Sequence, residues 1–244
     1  MQCALQTEVA QSAGFDPADT GIPEEHWERL LAREGEWIPA PAPLIVVSPH
    51  PDDEVLGAGG LIHTWASEGR PVTIISVTDG EAAFPTWRGL DRIRRGELQA
   101  ALRKLCLTHV SVIRIGLPDG RVGEHSRRLR NALLGIVEAP ATLIAPYEHD
   151  GHPDHDTVGA VCCALARTEG VDVARYPIWS WHHGAPTTFA GARWGKFPLS
   201  PRARRAKARA VQCFASQLQP PRNKPIVPPH VLPYFQRAFE AFLL

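Results

Sequence analysis

The run Ser48-Pro49-His50-Pro51-Asp52-Asp53-Glu54 sets an imidazole and three adjacent carboxylates beside two prolines. Like charges crowd there, and the prolines oppose the helix that would spread them out. A bound cation would relieve the repulsion. A second cluster, Glu148-His149-Asp150-Gly151-His152-Pro153-Asp154-His155, again mixes acids and imidazoles. Together the two offer ring nitrogens and carboxylate oxygens, without any thiolate. That donor set suits zinc in an open catalytic site with three protein ligands and one position for water, and Fe(II) accepts the same donors. Such an ion lowers the pKa of water from ~15.7 to about 7 and polarises a carbonyl, two of the things that amide hydrolysis requires.

Each cluster needs an element to place it. The first follows Leu44-Ile45-Val46-Val47, too short a run for a helix and apolar enough for a buried strand. The second follows Thr142-Leu143-Ile144-Ala145-Pro146, with a strand expected over Leu143–Ala145. Both clusters therefore sit where strands end, and ligands bind at the carboxyl edge of open α/β sheets. Between and after them the pattern alternates. A helix runs from the first motif to near Gly69, then a strand over Val72–Val77 and a helix over Asp91–Leu105. A strand over Val110–Ile115, a helix over Leu129–Val137 and a helix over Val158–Ala166 complete the series. This predicts an α/β, Rossmann-like fold, with a mainly parallel sheet and helices on both faces. From Val171 the rhythm changes. Tyr176–His183 reads as an aromatic strand, Pro201–Phe214 as a helix with a solvated basic face, and Tyr234–Leu243 as a last helix. Gly57-Ala58-Gly59-Gly60 lacks the Walker lysine and the full dinucleotide fingerprint, so it reads as close packing of helix on strand.

Residues 1–43 read as an N-terminal extension. A polar, partly disordered lead-in to about residue 22 precedes a helix opening at Pro23 with acids in its first turn. The prolines from Pro39 to Pro43 form a stiff connector, and 44–244 is read as one domain. A chain of 244 residues supports a sizeable single core. Its 26 basic and 26 acidic side chains balance, which argues against a nucleic-acid surface or a polybasic membrane anchor. No apolar run approaches the ~18 residues of a spanning helix, and the first residues lack a secretory pattern. The five cysteines show no Cys-x-x-Cys spacing and read as reduced thiols of a cytoplasmic protein.

His50–Glu54 and His152–His155, in this order and each after a strand, resemble the two signatures of the PIG-L/LmbE-like family of zinc-dependent N-deacetylases, His-Pro-Asp-Asp-Glu and His-x-x-His. Fainter likeness lies at Thr78–Glu81, Arg94-x-x-Glu97, Leu117–Gly120 and Ser216-Gln217, so the resemblance covers about residues 44–217. It implies His50, Asp53 and His155 as metal ligands; spacing alone does not choose Asp53 over Asp52. Asp52 is then free to act as general base. His152 is expected to face the substrate as an imidazolium, stabilising the oxyanion and protonating the amine. Asp154 is expected to pair with an imidazole, foremost His152, and raise its pKa.

Arg94 resembles a substrate-contacting arginine of the family, or else pairs with Glu97. Glu81 and His182 are further candidates for substrate binding. Trp181, His182 and His183 either line the mouth, where aromatic groups suit sugar rings, or belong to the core and rim of a late strand. Asp119, in Pro-Asp-Gly, reads as turn chemistry. The expected reaction is removal of an N-acyl group, acetyl foremost, from an amino sugar or an N-acetylglucosamine-type conjugate, a small-molecule substrate. The rivals are an amidase on a non-sugar acyl amine and a zinc-stabilised binding protein without catalysis. Against the latter stand Asp52 and His152, which exceed the ligands that a closed site would use.

Overall fold

The computed structural model describes residues 19–105, 110–189 and 191–244. Most of the polar lead-in, Cys3, Cys106 and His109 lie outside the described residues. Helix α1 (Glu24–Leu31) comes first, then strand β1 (Leu44–Ser48), α2 (Asp53–Ser67), β2 (Val72–Ser76), α3 (Leu90–Lys104) and β3 (Val110–Arg114). Next come α4 (Ser126–Leu134), β4 (Thr142–Pro146), α5 (Pro153–Glu169), β5 (Asp172–Tyr176) and the single turn α6 (Ser180–His183). Strand β6 (Trp194–Pro198), α7 (Pro201–Val211), α8 (Ala215–Leu218) and β7 (Phe239–Leu243) complete the chain.

The sheet runs in the order β3-β2-β1-β4-β5-β7-β6. Its first five strands are parallel, and β7 lies antiparallel to both neighbours. The chain winds outward from β1 to β3, then returns to the other side of β1 as β4. The winding therefore reverses between β1 and β4, and a crevice opens outside their carboxyl ends. Both motifs leave the sheet at this point.

All five residues of β1, and all five of β4, are buried, as continuous apolar runs covered on two faces should be. Alternation then divides the side chains. Leu44 and Val46 join one core with α2, α3 and α7, while Ile45 and Val47 join the other with α4 and α5. Tight packing holds the helices near the motifs. A Cβ on Gly57 would lie 2.3 Å from the Tyr176 ring, and one on Gly159 would lie 2.6 Å from the Pro146 carbonyl oxygen. Both positions need glycine because α2 and α5 sit so close to the strand ends. Trp27 of α1 is fully buried in the same core as α2 and donates from Nε1 to the Trp181 carbonyl at 2.7 Å. No helix among the described residues is long and apolar enough to cross a membrane.

The mainly parallel α/β architecture agrees with the expectation, while several elements differ. Helix α5 begins at Pro153, inside the second motif, because His152 caps it and proline suits its first position. Helix α4 begins at Ser126 and ends at Leu134. The aromatic stretch is not one strand. Strand β5 stops at Tyr176, and the backbone N–H groups of Ile178, Trp179 and Ser180 turn in to the Asp150 carboxylate. The segment read as a last helix ends as strand β7. Its Glu240 is buried by accepting from Lys207 Nζ and from the N–H groups of Gly60 and Leu61, none of them local in sequence. Strand β6 had no clear sequence signal.

Candidate active site

The two motifs meet at the reversal point. Asp53 opens α2, Asp52 precedes it as the cap residue, and His50 stands on the loop leaving β1. His155 lies in the first turn of α5. His50 Nδ1 is 3.3 Å from Asp53 Oδ2 and 3.2 Å from His155 Nε2, and His155 Nε2 is 3.3 Å from Asp53 Oδ2. A tetrahedron with arms of 2.0–2.1 Å has edges of about 3.4 Å. The three atoms thus already stand at the spacing that three ligands around one small divalent ion would take. All three residues are buried. The structure therefore brings together the three residues expected as ligands, in a cluster that could hold a metal.

The remaining ring nitrogens are held in place. His50 Nε2 lies 3.1 Å from Asp119 Oδ1 and 3.2 Å from Asp154 Oδ2, and His155 Nδ1 lies 2.8 Å from Asp150 Oδ2. A carboxylate behind each imidazole orients the ring and fixes the tautomer that leaves the inner nitrogen free. Asp150 accepts besides from the backbone of Ile178, Trp179 and Ser180 and from the Ser180 hydroxyl. His50, His152 and Asp154 also form a possible metal group. In that group Asp154 is already engaged: its oxygens accept from the N–H groups of Gly120 and Val122 and from His50. Its place is behind His50.

This arrangement corrects the expected partner of Asp154. The carboxylate faces His50, and only the backbone N–H of Asp154 reaches His152, donating to Nδ1 at 3.2 Å. His152 is thereby set as the tautomer with its proton on Nε2. Its pKa is pushed down to about 3, chiefly by burial and then by the neighbouring imidazoles. In the metal-free chain, burial and the neighbouring imidazoles thus favour a neutral ring over the imidazolium expected from the sequence. The His152 ring still packs against both partner rings, with centroids 4.8 Å from His50 and 4.9 Å from His155.

The electrostatics would suit a cation. Burial pushes the pKa of His50 down, but Asp119, Asp154 and Asp53 outweigh it and hold the group well above the usual imidazole range. Burial also opposes the charge on His155, yet Asp53 and Asp150 raise its pKa to about 9. Without an ion, protons on the imidazoles offset the surplus of carboxylates. A metal would displace them.

Asp52 stands apart from the ligand set. Its backbone has φ of 145°, a strained value for any residue but glycine. Its Oδ1 accepts from Arg94 Nη2 at 3.1 Å, and Arg94 also donates to the carbonyls of Pro51 and Gly80. Burial raises the pKa of Asp52 to about 7, against the lowering pull of Arg94. Arg94 therefore pairs with Asp52 and not with Glu97, which accepts from Ser216. Glu54 is fully buried, and burial raises its pKa to about 8. Ser48 Oγ, which donates to the His50 carbonyl, is 2.7 Å from Glu54 Oε2.

A cavity of about 280 Å³ opens onto these groups, with His50, Asp52, Asp53, Arg94, Asp119 and His152 in its wall. Leu56, Ile178, Trp179, Ile226 and Val227 supply an apolar side. A larger cavity of about 420 Å³ beside α7 contains none of the motif residues, so the chemistry, rather than size, marks the site. Two residues expected at the substrate lie elsewhere. Glu81 Oε1 accepts from the Asp119 N–H at 3.0 Å, so it braces the Asp119 loop. His182 is buried on α6, its Nε2 3.0 Å from the Asp19 carbonyl and its ring against Gly21, outside the cavity wall. Trp181 stacks on Trp194 in the core. Asp119 and Asp150 were not foreseen in the site. The first had the signature of a turn, and the second was one acid among several in its cluster.

The profile of the PIG-L family, described as GlcNAc-PI de-N-acetylase, matches residues 45–166. A Bacillus cereus protein named probable N-acetyl-alpha-D-glucosaminyl L-malate deacetylase 2 is 31% identical over 144 residues, which cover 51% of this chain and 61% of that one. The 1D-myo-inositol 2-acetamido-2-deoxy-alpha-D-glucopyranoside deacetylase of Rhodococcus erythropolis is 32% identical over 164 residues, 55% of each chain. The match thus spans 55–61% of the length of these curated relatives. The crystal structure of a conserved protein from Thermus thermophilus superposes with a TM-score of 0.60 at 26% identity, covering 83% of this chain and 94% of that one. Because the profile takes in the strand ends, both motifs and half of the 244 residues, the chain belongs to the PIG-L family.

Proposed function

We propose that this protein is a zinc-dependent N-deacetylase that hydrolyses the acetamide of an N-acetylglucosamine-type conjugate. The observation that carries the reading is the triangle of His50 Nδ1, Asp53 Oδ2 and His155 Nε2, with edges of 3.2–3.3 Å, beside a carboxylate that is not part of it. The names of the relatives point the same way, to acetamido sugars. His50, Asp53 and His155 would hold the ion, which when bound supplies Lewis acidity toward an acyl oxygen and toward water. Nitrogen and oxygen donors without thiolate suit zinc, and they suit Fe(II) as well.

The protein groups do the rest. Asp52 takes a proton from the attacking water, its carboxylate held by Arg94. The Nε2–H of neutral His152 donates to the acyl oxygen as negative charge develops there. Asp52 then returns its proton to the departing nitrogen. The water oxygen stays on the acyl carbon, the C–N bond breaks, and acetate and a free amine leave. Ile178, Trp179, Ile226 and Val227 keep water away from one side of the cavity.

The test is acetate release by the full chain from glycosides of N-acetylglucosamine and from simple N-acetyl amines, before and after removal of metal by a chelator. Chelator-sensitive release from the sugars supports the proposal. Release from the simple amines alone would replace the sugar with another acyl amine, and zinc bound without any release would leave a binding protein.

A further inference from the structure

Gln217 lines the same cavity from α8, and its place in the wall has no account in the mechanism. The residue is 1% exposed, and its Oε1 has no hydrogen-bond partner among the described residues. Leaving a buried acceptor without a donor is costly, so the position asks for a reason.

The orientation of the amide follows from its neighbours. Glu97 accepts at Oε1 from the Ser216 backbone N–H and at Oε2 from the Ser216 hydroxyl, both at 2.7 Å. The one hydroxyl proton of Ser216 is therefore committed to Glu97. Its lone pairs can only accept, so the group 2.9 Å away on Gln217 must be the amide NH₂. Rotating the amide would set a carbonyl oxygen against a hydroxyl oxygen with no proton between them. The relay from Glu97 through Ser216 thus leaves Oε1 as the free end. The backbone carbonyl of Gln217 accepts from the N–H groups of Ile226 and Val227, two residues that line the cavity with it.

Arg94, in the same wall, shows the complementary feature. Its Nη1 and Nη2 are engaged, whereas its buried Nε has no partner among the described residues. Among the fully buried side-chain atoms of the described residues in this wall, one acceptor, Gln217 Oε1, and one donor, Arg94 Nε, therefore stand without partners. A hydroxyl group is a ligand that can satisfy either, since it both donates and accepts.

We propose that Gln217 is a specificity-determining residue whose Oε1 accepts a hydroxyl group of the substrate's amino-sugar ring. This rests on the deacetylase reading for the identity of the sugar, and it adds which side chain reads that sugar. Glu97 and Ser216 are positioning residues, acting through the amide that they orient.

The test is a set of methyl glycosides of N-acetylglucosamine, the parent and its 3-, 4- and 6-deoxy analogues, given to the metal-loaded full chain and to Gln217→Leu and Gln217→Met. Methionine keeps the unbranched shape and volume should leucine fail to fold. The wild type should lose roughly ten- to a hundred-fold in kcat/KM on one deoxy analogue. In the variants the parent should fall by that factor, while that one analogue is turned over as before, so the discrimination disappears. Glu97→Gln, which frees the amide to rotate, should weaken the same discrimination and leave the ratio of the other two analogues to the parent unmoved. Equal penalties across the series in wild type and variants would overturn the proposal. Should no glycoside release acetate, the deacetylase reading fails. The same sugars are then compared by their heat of binding: a deoxy penalty that depends on Gln217 sustains the proposal, and equal affinities overturn it.

Discussion

Asp150→Asn changes one atom, and its consequence can be followed bond by bond. Oδ1 of Asp150 accepts from Ile178 N, Ser180 N and Ser180 Oγ, at 3.0, 2.9 and 2.7 Å. Oδ2 accepts from Trp179 N at 2.9 Å and faces His155 Nδ1 at 2.8 Å. An asparagine must keep its single oxygen where three donors converge. Its NH₂ then stands at the Oδ2 position, against the Trp179 N–H and against His155. The imidazole can meet an NH₂ only by giving up its Nδ1 proton, which moves to Nε2. Nε2 is the atom that would ligate the ion, so the variant stabilises the wrong tautomer. Loss of such an outer partner weakens metal binding about 10–100-fold, or about 1.4–2.8 kcal/mol. The stranded Trp179 N–H adds about 1–3 kcal/mol of instability, which is roughly 2–12 °C in melting temperature for a chain of this size. Zinc affinity measured by competition with a chromophoric chelator, together with thermal melts of the metal-free protein, separates the two effects. A dissociation constant within about twofold of wild type would refute the tautomer argument, even if the melt were lowered.

Three further outcomes follow from the same geometry. Asp52→Ala should abolish acetate release while zinc content stays near one per chain, because Asp52 stands outside the ligand triangle; normal turnover would remove it as the base. Arg94→Met should raise the pKa of Asp52 and move the acid limb of the kcat/KM profile upward by about 1–3 pH units. An unmoved limb would show that the ion pair does not tune the base. In the metal-free protein His155 is raised from 6.5 to about 9. The folded state then binds the extra proton, so this stabilisation is complete below pH 6.5 and is lost as pH rises through about 9. Melts of the chelated protein should fall over that window, and saturating zinc should flatten the slope.

Some parts of the site were legible in the chain and others were not. His50, Asp53 and His155 could be read because each motif packs its donors into a few residues directly after an apolar strand, and parallel strands deliver both to one edge. Strands β1 and β4 are apolar almost throughout, so their short runs could be read as buried strands. Asp119 was hidden because its partner His50 is distant in sequence, and Pro-Asp-Gly is sufficient reason for an aspartate in a turn. Asp154 was assigned to the wrong ring. As the second residue of α5 it offers its backbone N–H to the cap residue His152, while its side chain reaches across to His50. His182 shows the limit of composition, since an aromatic and histidine run serves a core as well as a sugar, and here it packs under the segment at Gly21. The C-terminal strand β7 escaped because what buries Glu240 comes from α2 and α7.

Every step of the proposed chemistry depends on His50, Asp53 and His155 holding one metal ion between two strand ends. Metal content by mass spectrometry, on wild type and His155→Ala purified without chelator, decides whether they do. About one zinc per wild-type chain and little in the variant is the expected result. Wild-type protein without metal, or a variant that retains as much as wild type, would overturn it.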